Sequence, residues 1–501
     1  MEYRTIYGRW WLPESPGHKV PGTLTLDAAG LRLSVHEQLR TFDSGVVVWG
    51  GGEWTVEPVV HGLGSGGQEL TVFEAGAVTG PFEQNEQDYS VRWAALGRWL
   101  DEDDFTAVEF SFDHLTKWTE PPRMTLEDDV GVIKVDPSSY RVGDATIGAD
   151  VLELRIGSSG TASESAIHLD RAAAFTLRMG APATFGEILK SRIGPLHDLL
   201  TLTLGRPVRI TYVKVERAQR SGRERMVDLI YDAQQVPPST APTPASLRSH
   251  PTIALLPDLL AAGTFSEVFR NWYILRRRQG QALVQLLVPH YVTFLFAQHR
   301  FTTAYQAAEA YSGEQFGSQE LDDEDHHKRV QLVMDSLDAE LDREEFKWAK
   351  RVLKSKLSGT NYKTQRQLIR ELIAATGRMG RDVMLADPKF DRTVANNRGG
   401  LSHSGGSGEL TGLQLHWYSE TLRWLVRARL IADLGVPFAE VEKAARTAGW
   451  FKRAVREVRE AAQPTENPER VEPPLYLNEV APVWWGYVRP DALGGPVEPP
   501  R

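Results

Sequence analysis

The chain has no cysteine among its 501 residues. That excludes disulfide staples, thiolate nucleophiles and Cys-ligated zinc, and it agrees with a reducing compartment. Long apolar runs are missing as well. The most apolar stretch, Ala282 to Ala297, is broken by Gln285, Pro289 and His290. It is shorter than the roughly 20 apolar residues a membrane span needs, so it reads as a buried helix pair. The start, Met1-Glu2-Tyr3-Arg4, lacks the basic cap and apolar core of a secretory leader, and a cytoplasmic location without a membrane partner is expected. Positive charge is in deficit: 57 Lys and Arg stand against 66 Asp and Glu, a formal net charge of -9. Such a balance argues against the whole molecule being a nucleic-acid clamp, although a net charge can hide a local field.

What is present divides into two compositions. From Tyr3 to about Asp232, alternating runs separated by turn residues predict strands. Thr23 to Val35 reads as a hairpin, followed by runs at 46–49, 69–73, 89–93, 107–112 and 151–156. A helix is expected over Phe185 to Leu204, then strands at 208–215 and 226–231. This is an antiparallel, sandwich-like pattern over 1–235. The segment 236–252, which opens Val236-Pro237-Pro238-Ser239, can neither pair in a sheet nor continue a helix and reads as a linker. Over 253–462 the period is helical, with segments at 265–278, 282–311, 325–341, 343–357, 362–376, 410–434 and 438–461. A Pro-rich tail, 463–501, carries the aromatic cluster Val483-Trp484-Trp485-Gly486-Tyr487, expected to dock on the body of the protein or on a partner. The fold class is therefore α+β multidomain, with a β-rich region followed by an all-α bundle.

Charge is segregated within the helical half. From Arg343 to Arg398 there are 14 Lys and Arg against 6 Asp and Glu, a net of +8 that leaves -17 for the remainder. That arrangement draws a polyanion toward one region. At its end lies Asn396-Asn397-Arg398-Gly399-Gly400-Leu401-Ser402-His403, read as a Gly-rich turn between two helical segments. Arg holds phosphate through a planar fork, and His exchanges a proton near neutral pH. Together, Arg398 and His403 can break a phosphodiester without a metal, and no metal or other cofactor is expected. The acidic run Asp322-Asp323-Glu324-Asp325-His326-His327 has ligand-type residues at spacings unlike the usual metal motifs, and reads as a charge cluster complementing a helix dipole. The Gly runs at 50–52 and 62–67 lack a following Lys-Ser or Lys-Thr and read as turns. Trp49, Trp54 and Trp93 read as β-core residues rather than as a ligand platform.

A helical domain with Arg, four intervening residues and then His, with Leu401-Ser402 before the His and a long amphipathic helix ending in Gly435-Val436-Pro437 after it, resembles the HEPN superfamily of ribonucleases. The layout, a large β-rich region ahead of that domain, is similar to the ApeA family of bacterial anti-phage proteins. Phe269-Arg270-Asn271-Trp272 ahead of the bundle and Phe301 to Tyr311, with Glu309, fit the same likeness, which places the HEPN domain at about 290–436. The resemblance implies a homodimer or higher homo-oligomer whose paired Arg398 and His403 face one RNA strand. It also implies activity held back until a phage-derived trigger is sensed by the N-terminal region. Arg398 and His403 would be catalytic, with Asn397, Ser402 and Glu309 in support. The chain departs from the family at Gly399, where members usually carry a polar residue, often Asn. That departure leaves an alternative: a catalytically inactive HEPN module for dimerisation or RNA binding, attached to a β-rich ligand-binding sensor.

Overall fold

The computed structural model describes residues 4–27, 30–39, 53–79, 87–100, 104–120, 126–127, 132–133, 140–162, 167–217, 226–231, 252–292, 295–341, 347–403 and 410–463. The expected strand at 46–49, the linker up to 251 and the aromatic cluster at 483–487 lie outside the described residues.

Two compact units emerge: Met1–Thr201 with Arg206–Ser239 and Leu255–Tyr273, and Leu202–Gly205 with Thr240–Ala254 and Ile274–Arg501. The first is built from β1 (Arg4–Trp11), β2 (Val20–Asp27), β3 (Gly30–Val35), β4 (Glu53–Gly64), β5 (Glu69–Thr79), β6 (Gln87–Ser90), β7 (Trp93–Leu96) and β8 (Phe105–Phe112). After the short pair β9 (Leu126–Glu127) and β10 (Val132–Ile133) come β11 (Tyr140–Ile147), β12 (Asp150–Ala162), β13 (Ile167–Ala183), β14 (Ile210–Glu216) and β15 (Val227–Tyr231). Apart from the short pair, they form one antiparallel sheet in the order β11-β12-β13-β8-β14-β15-β7-β5-β4-β1-β2-β3-β6.

One end of this sheet closes on itself. Residues 70–73 of β5 pair with β7, whereas Gly76 of the same strand pairs with Ser90 of β6, which completes a six-stranded ring of β1 to β6. The change of neighbour falls at Glu74, whose φ of 51 is left-handed and whose carboxylate holds Arg92 at 2.7 Å. A non-glycine residue in that region is a strained exception, and it turns the strand between two partners. Inside the ring, alternate residues pack as a core that includes Trp10, Leu24, Leu33, Val60, Val72 and Tyr89. The β-rich class expected from the sequence is realised as one continuous sheet with a closed barrel at its end. Trp93 is buried and stacks on Phe73 with ring centroids 3.8 Å apart.

Beside the short helix α1 (Leu115–Trp118), the helix expected over 185–204 forms in three pieces: α2 (Phe185–Ile188), a π-helical turn at Leu189–Ile193, and α3 (Gly194–Leu204). Thr184 and Glu187 make a capping box at its start. Pro195 has no N–H to give the preceding turn, and the helix widens just before it.

The remaining helices are α4 (Leu256–Leu260), α5 (Phe265–Arg278), α6 (Gly280–Tyr291), α7 (Ala297–Phe316), α8 (Asp323–Leu341), α9 (Lys347–Ser358), α10 (Gln365–Ala375), α11 (Gly377–Ala386), α12 (Phe390–His403), α13 (Gly412–Ala432), α14 (Phe438–Thr447) and α15 (Gly449–Ala462). Four details differ from the sequence reading, the first being that the segment 438–461 is two helices, α14 and α15, because Ala448 between them is extended. The segment 282–311 is two helices, because Pro289 disrupts the last turn of α6 and Val292 is extended. Helices α11 and α12 were not foreseen, because glycines at 377, 380, 399 and 400 mask their period. And α4 with the first part of α5 groups with the β-rich unit by packing, although its composition is helical. At the centre of the second unit, α13 packs on α7 and α15 and buries Leu422, Trp424, Leu425, Leu430 and Ile431. Among the described residues, no helix is long and apolar enough to cross a membrane.

Gly380 lets α11 approach α10 closely: a methyl group there would collide with the Ile373 carbonyl. Gly380→Ala is therefore expected to destabilise the protein by about 3 kcal/mol in chemical denaturation, despite alanine's better helix propensity. A neutral or stabilising result would show that the two helices are not held at this distance.

Candidate functional site

The motif lies on α12, and buried polar groups fix where that helix runs. Asp387, just ahead of it and 5% exposed, accepts from the Lys389 backbone N–H at 2.8 Å, from the Thr393 hydroxyl at 3.1 Å and from the Tyr418 hydroxyl at 2.8 Å. Burial, with the Asp387 carboxylate, pushes the Tyr418 hydroxyl pKa upward, so it stays a donor. Phe390 stacks on the Tyr418 ring with centroids 5.2 Å apart, and Val394 is fully buried. Near the other end, Asn397 is 1% exposed. Its amide donates to the Thr393 carbonyl at 2.9 Å and accepts from the Leu410 N–H at 3.1 Å. It fastens the motif helix to the chain where that chain enters α13.

The sequence reading of Asn396 to His403 as a turn is corrected: the backbone is helical through His403. A glycine in a helix costs about 1 kcal/mol relative to alanine, and here there are two in succession. Burial of Phe390, Val394 and Asn397 offsets that cost. The helix also sets the geometry of the pair. Five residues of α-helix separate Arg398 and His403 by about 7.5 Å along the axis and about 140° around it. The side chains of Ser402 and His403 lie outside the described residues.

Arg398 is half-buried, and its Nε is enclosed without a hydrogen-bond partner among the described residues. Enclosed N–H groups are normally bonded, and one left open costs about 1–3 kcal/mol. Close by on α7 are Tyr305 and the half-buried Glu309. Burial raises the Tyr305 pKa, the Glu309 charge adds to the rise and the Arg398 charge opposes it, so the three groups share one electrostatic neighbourhood. The Tyr305 hydroxyl makes a long contact, 3.5 Å, with Gln365 at the start of α10.

Sequence reasoning missed a second feature of the same face. Asp391, on α12 and 2% exposed at its side chain, binds Arg366 at 2.8 Å and Arg370 at 2.7 Å, both from α10. Burial alone would raise the Asp391 pKa, but the two guanidiniums hold it below the usual carboxylate range. The signals were an Arg pair four residues apart and Asp391 seven residues before Arg398. Both are legible only once 390–403 is taken as a helix. Elsewhere, Asp322 caps α8 by accepting from the Asp325 N–H at 2.9 Å, and Glu324 pairs with Lys328 at 2.7 Å, as a helix-start charge cluster does.

Residues 5–272 match the profile of ApeA N-terminal domain 1, more than half the chain, and residues 302–439 match that of Apea-like HEPN. The chain belongs to the ApeA family. The HEPN match runs from α7 to the start of α14 and contains Tyr305, Glu309, Arg366, Arg370, Asp391 and Arg398 to His403. At family level, the ApeA chain carries a HEPN domain of nuclease type with an anti-phage role. No curated protein and no solved structure matches it.

Asp391→Asn is expected to cost about 1–2 kcal/mol at neutral pH, since both guanidiniums are partly exposed and regain water. A carboxylate with a depressed folded pKa contributes stability above its unfolded pKa of about 4 and loses it as the pH falls through the folded value. Urea denaturation should show the gap between native and variant narrowing below about pH 4. A gap independent of pH would mean that Asp391 is not charged in the fold.

Proposed function

We propose that this protein is a HEPN-type endoribonuclease that cuts RNA by attack of the ribose 2′-hydroxyl, in anti-phage defence that works by damaging host RNA and halting growth. The observation that carries this reading is Arg398: a permanent cation, half-buried, with an enclosed Nε that has no partner among the described residues, on one helix with His403, inside the HEPN match.

His403 takes the proton from the 2′-hydroxyl, the 2′-oxygen bonds to phosphorus, and the bond from phosphorus to the 5′-oxygen breaks. Arg398 stabilises the extra negative charge on the pentacoordinate phosphorus. The leaving 5′-oxygen gains a proton, and the ends are a 2′,3′-cyclic phosphate and a 5′-hydroxyl. No cofactor enters these steps, and DNA resists because it lacks the attacking hydroxyl. Because Arg398 and His403 stand about 140° apart around one helix, a single linkage is gripped best when a second copy faces it and each motif supplies the side the other lacks. The β-rich unit senses the phage-derived trigger, and the protein acts in the cytoplasm. Tyr305 and Glu309 set the field around Arg398, Asn397 fastens its helix, and Ser402 is the remaining supporting residue.

The alternative, a HEPN module that docks RNA or a partner without cutting, draws on Gly399. A Cβ built at Gly399 meets nothing within 4 Å, so what is missing is a polar group and not the space for one.

In a cleavage assay on single-stranded RNA, Arg398→Ala and His403→Ala are each expected to lower the rate at least about 100-fold. Absence of cleavage also by the native chain purified from phage-infected cells would favour the binding module. Gly399→Asn is expected to fold, to gain about 0.3 kcal/mol from helix propensity and to cleave faster. Slower cleavage by a stably folded Gly399→Asn would mean that the site requires a bare backbone at this position.

A further inference from the structure

Arg366 and Arg370 are four residues apart on α10, so they stand on one helical face, where like charges ordinarily repel. Asp391 holds both, and through a single oxygen: Oδ2 accepts from Arg366 Nε at 2.8 Å and from Arg370 Nε and Nη2 at 3.1 and 2.7 Å. One carboxylate against two guanidiniums leaves a net positive charge. Both Nη groups of Arg366 and Nη1 of Arg370 have no other partner among the described residues. The two side chains remain 45% and 61% exposed, while Asp391 is 2% exposed. The result is a pair of planar forks whose roots are fixed in the protein and whose remaining donors are open to water. Arginine forks of this kind bind tetrahedral oxyanions in a bidentate way.

Their position matters as much as their charge. Asp391 and Arg398 are seven residues apart on α12, which is two turns of helix, on the same side and about 10 Å along the axis. A single RNA strand covers that distance within a few nucleotides.

We propose that the Arg366 and Arg370 pair, oriented by Asp391, is a phosphate subsite that grips the RNA backbone a short way along the strand from the linkage at Arg398. This rests on the reading of Arg398 as the cutting site. The grip is on phosphate, so it carries no base preference, and it contributes binding rather than chemistry. The two arginines are substrate-binding residues, and Asp391 is the positioning residue.

The test compares a dinucleotide, whose single phosphodiester cannot reach both places, with a decamer. The decisive variant is Arg366→Gln/Arg370→Gln with Asp391→Asn, which leaves no uncompensated charge in the interior, and its folding is checked by thermal denaturation. For the decamer, kcat/KM should fall about 10–100-fold through KM at constant kcat, and the salt dependence of binding should weaken by about one phosphate contact. Dinucleotide cleavage should not change. Arg366→Lys/Arg370→Lys should restore part of the decamer binding, since charge returns without the fork. Equal losses on both substrates, or no loss on the decamer, would overturn the subsite. If the native chain cuts neither substrate even when purified from phage-infected cells, it is the nuclease reading that fails. The subsite is then judged by anisotropy with a 2′-O-methyl decamer, where undiminished binding by the triple variant would reject it.

Discussion

The candidate site depends on where α12 lies, and that is decided by polar groups removed from water. Asp387 gathers a backbone N–H and two hydroxyls at the start of the helix, Asp391 draws two guanidiniums across from α10, and Asn397 ties its far end to Leu410. Each is a buried group that loses more by going unpaired than it gains by being paired, so the network tolerates few alternative placements. The helix can then carry two consecutive glycines without coming apart, and it presents Arg398 beside Tyr305 and Glu309 at a fixed distance from the arginine pair on α10.

The same economy is visible in the β-rich unit. A long sheet has an edge problem, and closing β1 to β6 into a ring removes the free edge at β6 at the cost of one strained residue, Glu74, anchored by Arg92. The two units therefore solve different problems with similar means. In each, a charged residue paired at short range holds a backbone where propensity alone would not.

Much of this was legible in the sequence, and the failures have a common cause. Alternation exposed the β2 and β3 hairpin and β12, where one face is buried, whereas β5 and β8, buried on both faces, stood out as apolar and β-branched runs. Helix α5, with its apolar stripe, and α13, long and buried around its circumference, were also plain. Helices α11 and α12 were not, because Gly377, Gly380, Gly399 and Gly400 lower local propensity and only tertiary contacts reveal why they are tolerated. Ring closure depends on a single switch of strand partner at Glu74, which leaves no periodic trace. In the site, the type and spacing of Arg398 and His403 were readable. The arginine pair appeared only as anonymous charge in a basic window, because its meaning depends on Asp391 arriving from another helix.

The proposed bond-breaking route is internal attack by a ribose hydroxyl, assisted by one guanidinium and one imidazole. Mass spectrometry of the RNA ends left by the activated protein, with a chelator present, reads that route directly. The expected ends are 2′,3′-cyclic phosphate paired with 5′-hydroxyl, unaffected by the chelator. Ends bearing 3′-hydroxyl and 5′-phosphate, or cleavage abolished by the chelator, would contradict it.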